Sequence, residues 1–155
     1  MKWRGLIVLA VCALPLMAAA QTGVNTSSPK PYVPRLGDIM NAAQTRHMKL
    51  WFAGKSANWD LAAYEIRQLK MSLTEAALLY EGIPVTNVTT MAEPLQALAD
   101  AIEARDAGKF IKSYGALTDR CNGCHQSMKR SFIVMRLPTE QPYSNQVFQP
   151  QRTVR

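Results

Sequence analysis

The chain has 155 residues, of which 48% are hydrophobic and 19% charged, and its formal net charge is +7 at pH 7. The positive charge is spread along the chain: its densest basic pair is Lys129 and Arg130, and no aromatic-rich pattern accompanies that pair. Nucleic acid is therefore not an expected partner. No acid and base pair, nucleophile arrangement or phosphate-binding loop is recognisable, so the sequence does not predict an enzyme.

The first twenty residues have the pattern of a secretory signal peptide. Lys2 and Arg4 precede an apolar stretch at 6–17, and three alanines at 18–20 provide the small residues that a signal peptidase requires. This stretch is too short to span a bilayer comfortably, and no later segment is predicted to be transmembrane. We expect cleavage after residue 20 and export to the periplasm, with an uncleaved anchor as the alternative. The mature chain would carry a charge of +5, and its length fits one domain.

Apolar residues recur at spacings of three and four along most of the mature chain, which is typical of amphipathic helices. After a proline-containing leader loop at 21–35, the first helix is predicted at 36–53, with Gly54 as its C-terminal cap. The second helix is predicted to begin after Asn58, a good N-cap residue, and to continue to Gly82.

The second half of the chain contains two further helical patterns. Thr90 is predicted to cap the third helix, which ends at Gly108. Asp106 or Lys109 opens the fourth helix, which is predicted to continue as far as Leu137. No strand is predicted anywhere.

Four helices of similar length with mostly short connections predict an all-α fold, an antiparallel up-down-up-down four-helix bundle over residues 36–137. The tail at 138–155 is rich in Pro, Gln and Asn. Two interpretations of the tail stay open. Either the tail is disordered, or it is an extended strap that is attached to the bundle by its few apolar residues, Tyr143, Val147 and Phe148.

Two cysteines remain in the mature chain, Cys121 and Cys124, and His125 follows directly. This is the Cys-x-x-Cys-His pattern, in which two thiols attach haem covalently and the histidine ligates iron. Residues at i, i+3 and i+4 project from one face of a helix, so all three side chains can reach a single porphyrin. The motif therefore predicts one covalently bound haem c, with iron, in the fourth helix.

Two other chemistries use closely spaced cysteines. A dithiol redox motif expects a strand-to-helix turn in a βαβ unit, a context that the helical pattern does not provide. A zinc site needs a fourth ligand, and His47 is the one further histidine in the sequence. Haem is therefore the interpretation that we favour.

A helical bundle with the haem motif in its last helix resembles the class II c-type cytochromes, the cytochrome c-prime group and its six-coordinate relatives. The resemblance covers residues 36–137 and is carried by the Cys-x-x-Cys-His motif and by the turn at 53–55. It implies an electron carrier that serves periplasmic redox partner proteins, with pairing of two copies through outer helix faces. The mild positive charge would steer docking to an acidic partner. The alternative within the same resemblance is a five-coordinate haem protein that binds nitric oxide or carbon monoxide.

The resemblance also implies that the side of the haem opposite His125 faces the first helix. Met40 and His47 are the candidate sixth iron ligands there, and because they are seven residues apart they share one helix face. A methionine at helical spacing is also an ordinary core residue. His47 could equally be a partly buried histidine or a contact of a haem propionate. An open iron is the third option, and the sequence leaves all three open.

Overall fold

The computed structural model of the protein describes residues 31–151, and these form four α-helices without a strand. The predicted all-α class is thus confirmed for this part of the chain. The signal peptide predicted at 1–20, most of the leader loop and the last four residues lie outside the described residues. No helix between residues 31 and 151 has both the length and the apolar character that a membrane crossing requires. The helices are α1 Leu36–Lys55, α2 Trp59–Leu79, α3 Val85–Glu103 and α4 Ala107–Ser127.

The helices pack in chain order, α1 on α2, α2 on α3 and α3 on α4, and α4 also contacts α1. At one end of the molecule the beginnings of α1 and α3 meet the ends of α2 and α4 around a cavity. Consecutive helices therefore run in opposite directions, which is compatible with the predicted four-helix bundle. We call this end the cavity end and the opposite one the far end.

Large side chains fill the far end. The indole of Trp51 lies with its ring centroid 4.8 Å from that of Tyr114 and 6.3 Å from that of Phe110. Leucines from all four helices complete the core, namely Leu50, Leu69, Leu98 and Leu117. Burial of each such side chain stabilises the fold by roughly 1.5–3 kcal/mol. Packing at the far end therefore contributes much of the stability of the bundle.

Gly54 lies inside α1 rather than behind its end, so the predicted role as a helix cap is wrong. The turn is made instead by Ser56 and Ala57, with Ala57 in the left-handed region at φ 55°. Gly54 is buried, and a Cβ at this position would overlap with the ring of Phe110. The glycine is therefore needed because an aromatic ring of α4 packs directly on the backbone of α1.

The boundaries of α3 also differ from the prediction. The helix begins at Val85, after the N-cap Pro84, and not after Thr90. The fixed φ of proline suits a helix start, and its missing N–H would have no helical partner there. The helix ends at Glu103 before Gly108, with Arg105 in the left-handed conformation at φ 53°.

The start of α4 follows one of the two predicted alternatives, but its end does not. The side chain of Asp106 accepts a hydrogen bond from the backbone N–H of Lys109, as expected of an N-cap. The helix then ends at Ser127, ten residues before the predicted end at Leu137. Lys129 adopts the left-handed conformation at φ 56°, which terminates the helix although the residue is not glycine.

The tail forms an ordered strap as far as residue 151. Phe148 is only 3% exposed, and its ring centroid lies 5.8 Å from that of Phe52. The ammonium group of Lys49 lies 4.7 Å from the ring centroid of Tyr143. These contacts lie along the second half of α1, so the tail packs against the helix at these two points.

Candidate functional site

A cavity of about 440 Å³ opens at the cavity end of the bundle. Pockets that hold ligands occupy roughly 300–1,000 Å³, whereas protein interiors rarely contain dry voids larger than a water molecule. The lining is largely apolar. Its lining includes Gly37, Met40, Ala43, Leu73, Ala76, Met91, Leu95, Ile133 and Met135. An apolar space of this size indicates a binding site for a large apolar group.

The three residues of the Cys-x-x-Cys-His motif line this cavity. Cys121, Cys124 and His125 lie in the last two turns of α4, and the spacing of three and four residues puts all of them on the cavity side. Gly123 between them is exposed. The two thiols are free and partly buried. The structure thus brings together the three residues that the sequence selected.

The orientation of His125 is set by the chain that follows α4. Its Nδ1 atom lies 2.9 Å from the backbone carbonyl oxygen of Ile133. Since a carbonyl can only accept, Nδ1 carries the proton and donates it, which leaves Nε2 with the free lone pair. Histidines that ligate metals typically have their second nitrogen engaged in this way, because the bond fixes both tautomer and ring orientation.

A second contact holds the same segment in place. The amide of Asn122 donates to the carbonyl oxygen of Met135 at 3.0 Å, and the N–H of Met135 donates to the amide oxygen of Asn122 at 2.7 Å. Sequence reasoning missed this segment because it extended α4 to Leu137. The basic pair Lys129 and Arg130 is a signal that could have indicated an earlier end of the helix, since cations are favoured at helix C-termini.

The two candidate sixth ligands lie in different places. Met40 lines the cavity together with His125, whereas His47 is not part of the lining. The spacing of seven positions places His47 about 10 Å further along α1. There it is 3% exposed, with Nε2 hydrogen-bonded to the Thr118 hydroxyl at 3.0 Å and Nδ1 to the Tyr114 hydroxyl at 2.8 Å. Of the two candidates, Met40 alone is brought to the motif.

No protein-family model, curated protein or solved structure matches this chain. The function is therefore inferred from the cavity, the motif and their geometry.

The charges at the cavity complement an anionic ligand. Lys70 and Arg130 are the two lining residues with a formal charge, and both are positive. Haem is an apolar macrocycle with two carboxylates, so an apolar lining with two cations fits its surface. No cluster of three or more His, Cys, Asp or Glu side chains able to hold a bare metal ion occurs among residues 31–151.

Burial keeps the two thiols protonated. It raises the pKa of Cys121 to about 11, with the nearby charge of Cys124 as a second cause, and it also raises the pKa of Cys124. Catalytic dithiols have the opposite property, because their reactivity depends on a lowered pKa. The environment therefore does not favour the dithiol redox interpretation.

Proposed function

We propose that the mature protein is a periplasmic mono-haem c-type cytochrome that carries electrons between redox proteins. The observation that carries this proposal is the hydrogen bond from His125 Nδ1 to the Ile133 carbonyl oxygen, beside two cavity-lining thiols. It leaves one lone pair of the imidazole free next to an apolar cavity. Histidines that ligate metals almost always donate their second ring N–H in this way.

Each part of the site has a role in this function. Cys121 and Cys124 would hold the haem through thioether bonds, and His125 Nε2 would ligate its iron. Lys70 and Arg130, at the cavity margin, would pair with the propionates. The bound haem supplies one-electron chemistry, while the protein positions it and excludes water from it.

Met40 is the proposed sixth ligand. It projects from the first turns of α1 into the same cavity as His125. With His125, a methionine thioether as a second protein ligand would close the iron to small molecules and raise its reduction potential. His47 is not favoured, because both of its ring nitrogens are already hydrogen-bonded. Gas binding at a five-coordinate iron is the function expected if Met40 does not ligate.

The resemblance to class II c-type cytochromes and the export of the chain belong to the same proposal. They are supported by the four helices, by the motif in the last of them and by the signal-peptide pattern at 1–20. In a periplasm the two thiols would be consumed by haem attachment.

The test is covalent haem attachment. The protein is expressed with its first twenty residues in a bacterium that has the haem-attachment machinery, and the purified protein is extracted with acidified acetone. The colour should stay with the protein, in a ratio of one haem per chain. A Cys121→Ser, Cys124→Ser double variant should lose its colour to the solvent, while His125→Ala should keep covalent haem with an altered spectrum. A colourless wild-type protein, or one whose colour is extracted, would refute the function.

A further inference from the structure

The segment at 129–136 exposes apolar side chains next to the cavity. The N–H of Ile133 donates to the carbonyl of Arg130 at 2.9 Å, and this tight turn puts Phe132 at its tip. Phe132 is 76% exposed and Val134 is 74% exposed. Adjacent large apolar side chains that remain in water mark interaction sites more often than single ones do.

The same segment is purely basic. Lys129, Arg130 and Arg136 are exposed, and no acidic residue occurs between Arg120 and Thr139. None of the ion pairs found within residues 31–151 involves these three cations. The charges of Lys129 and Arg136 are therefore not neutralised locally and face solvent, whereas Arg130 lies at the cavity margin.

The inner side of the segment belongs to the candidate site. Ile133 and Met135 line the cavity, and the Ile133 carbonyl accepts the hydrogen bond from His125. Phe132 and Val134, the two neighbours of Ile133 in the chain, are the most exposed large apolar side chains of the 129–136 segment. One short stretch thus connects His125 with the protein surface.

We propose that the 129–136 segment is the docking surface for an acidic redox protein. The inference rests on the proposed function, since electrons must leave the haem by a short route. The basic side chains attract a partner of opposite charge and accelerate its approach. Phe132 and Val134 form the dry centre of the contact, with the cations as its rim. An anionic membrane is less favoured, because membrane binding would not require the surface to adjoin the axial histidine.

The structure offers a matched control for the charge. Lys129 and Arg105 both end a helix in the left-handed conformation, at φ 56° and 53°, and both are exposed. In each case two backbone N–H groups close the helix end in the same pattern. Arg105 lies at the far end, between α3 and α4. Lys129→Glu and Arg105→Glu therefore make the same change in net charge and in local backbone, at opposite ends of the molecule.

The experiment measures electron transfer from the reduced holoprotein to an acidic blue-copper protein by stopped flow, at several salt concentrations. The wild-type rate should fall with salt. Lys129→Glu should lower the low-salt rate by roughly tenfold, while Arg105→Glu should change it by less than about twofold because its charge is distant. Equal effects of the two substitutions would overturn the proposal.

The apolar part is tested by a second matched pair. Val134→Ser is compared with Val147→Ser, since Val147 is 62% exposed on the tail near the far end. Val134→Ser should slow electron transfer at all salt concentrations, and Val147→Ser should not. Binding of the holoprotein to phosphatidylglycerol vesicles is measured in parallel. Vesicle binding that depends on Lys129 and Val134, together with unchanged electron transfer in both variants, would assign the surface to a membrane instead.

The haem spectrum separates this inference from the function on which it rests. A wild-type protein without covalent haem would refute the function itself. A haem protein that dithionite reduces normally, but whose Lys129→Glu variant behaves like Arg105→Glu, would refute only the docking surface.

Discussion

Tyr114 on α4 holds His47 on α1 at two points. Its hydroxyl group donates to the backbone carbonyl oxygen of His47 at 2.7 Å and lies 2.8 Å from Nδ1 of the same residue. The hydroxyl of Thr118, one turn further along α4, is hydrogen-bonded to the other ring nitrogen, Nε2. These buried hydrogen bonds join α1 and α4 just below the cavity. They hold the two helices together where the cavity ends.

Removal of the Tyr114 hydroxyl should destabilise the fold without affecting the haem motif. Tyr114→Phe leaves a buried imidazole nitrogen and a carbonyl without this partner, which costs about 1–3 kcal/mol. Urea denaturation of the purified protein measures the loss. Tyr143→Phe is the control, because no hydrogen bond of the Tyr143 hydroxyl occurs within residues 31–151. A similar loss in both variants would contradict the role of the cross-link.

His47 should make stability depend on pH. Burial lowers its pKa from 6.5 to about 4, so as the pH falls the unfolded chain takes up the proton first. The contribution is therefore complete above pH 6.5 and is lost as the pH falls toward 4. Between pH 8 and pH 5 the free energy of unfolding should decrease by about 2 kcal/mol through this group. His47→Gln should show a correspondingly smaller decrease in urea denaturation, and an unchanged pH dependence would contradict the assignment.

Gly54 should not tolerate a side chain. Gly54→Ala introduces a methyl group into the ring of Phe110, and overpacking of this kind costs about 1–3 kcal/mol. Gly115→Ala in the middle of α4 is the control, since its Cβ would meet open space. Higher helix propensity should then stabilise that variant by up to about 1 kcal/mol. Thermal unfolding followed by circular dichroism should show opposite shifts, and equal shifts would be inconsistent with the packing.

Asn122 should hold the segment that orients His125. In Asn122→Ala the backbone of Met135 loses two hydrogen bonds, so residues 130–136 should open more often. Hydrogen exchange of the holoprotein should become faster in this segment while the far end is unchanged. Asn87→Ala serves as the control, because it removes a side-chain bond to Ser127 at the same end without touching the segment. Equal exchange in the two variants would disprove the role.

Met40 and His47 should differ in their effect on the iron. Met40→Ala should remove the sulfur-to-iron absorption band, lower the reduction potential and let the reduced protein bind carbon monoxide. His47→Gln should alter none of these, although it lowers stability. The measurements are visible spectra in both oxidation states and carbon monoxide titration. Rapid binding of carbon monoxide by the wild-type protein, with no spectral effect of Met40→Ala, would move the protein to gas binding.

Several features were predictable because they depend on neighbours in the chain. Apolar spacing predicted four helices, and Asp106 was recognisable as an N-cap because its partner is three residues away. The start of α3 was misplaced because Thr90 is an equally good cap by local rules. Gly54 was misassigned because glycine serves both at helix ends and at close contacts, and only Phe110, 56 residues later in the sequence, decides between them.

The sequence by itself determined the Cys-x-x-Cys-His motif and its place in a helix. The spacing of Cys121, Cys124 and His125 is local, so the side chains share a face wherever the helix lies. Tertiary structure alone decided which of Met40 and His47 lies beside the motif. The seven-residue spacing gives their common face and their distance along α1, but not which of them is level with His125. Tertiary structure also decided that the chain turns back after Lys129, a left-handed residue that local propensity does not favour. The carbonyl that orients His125 comes from that returning segment, and its position depends on packing at the end of four helices together.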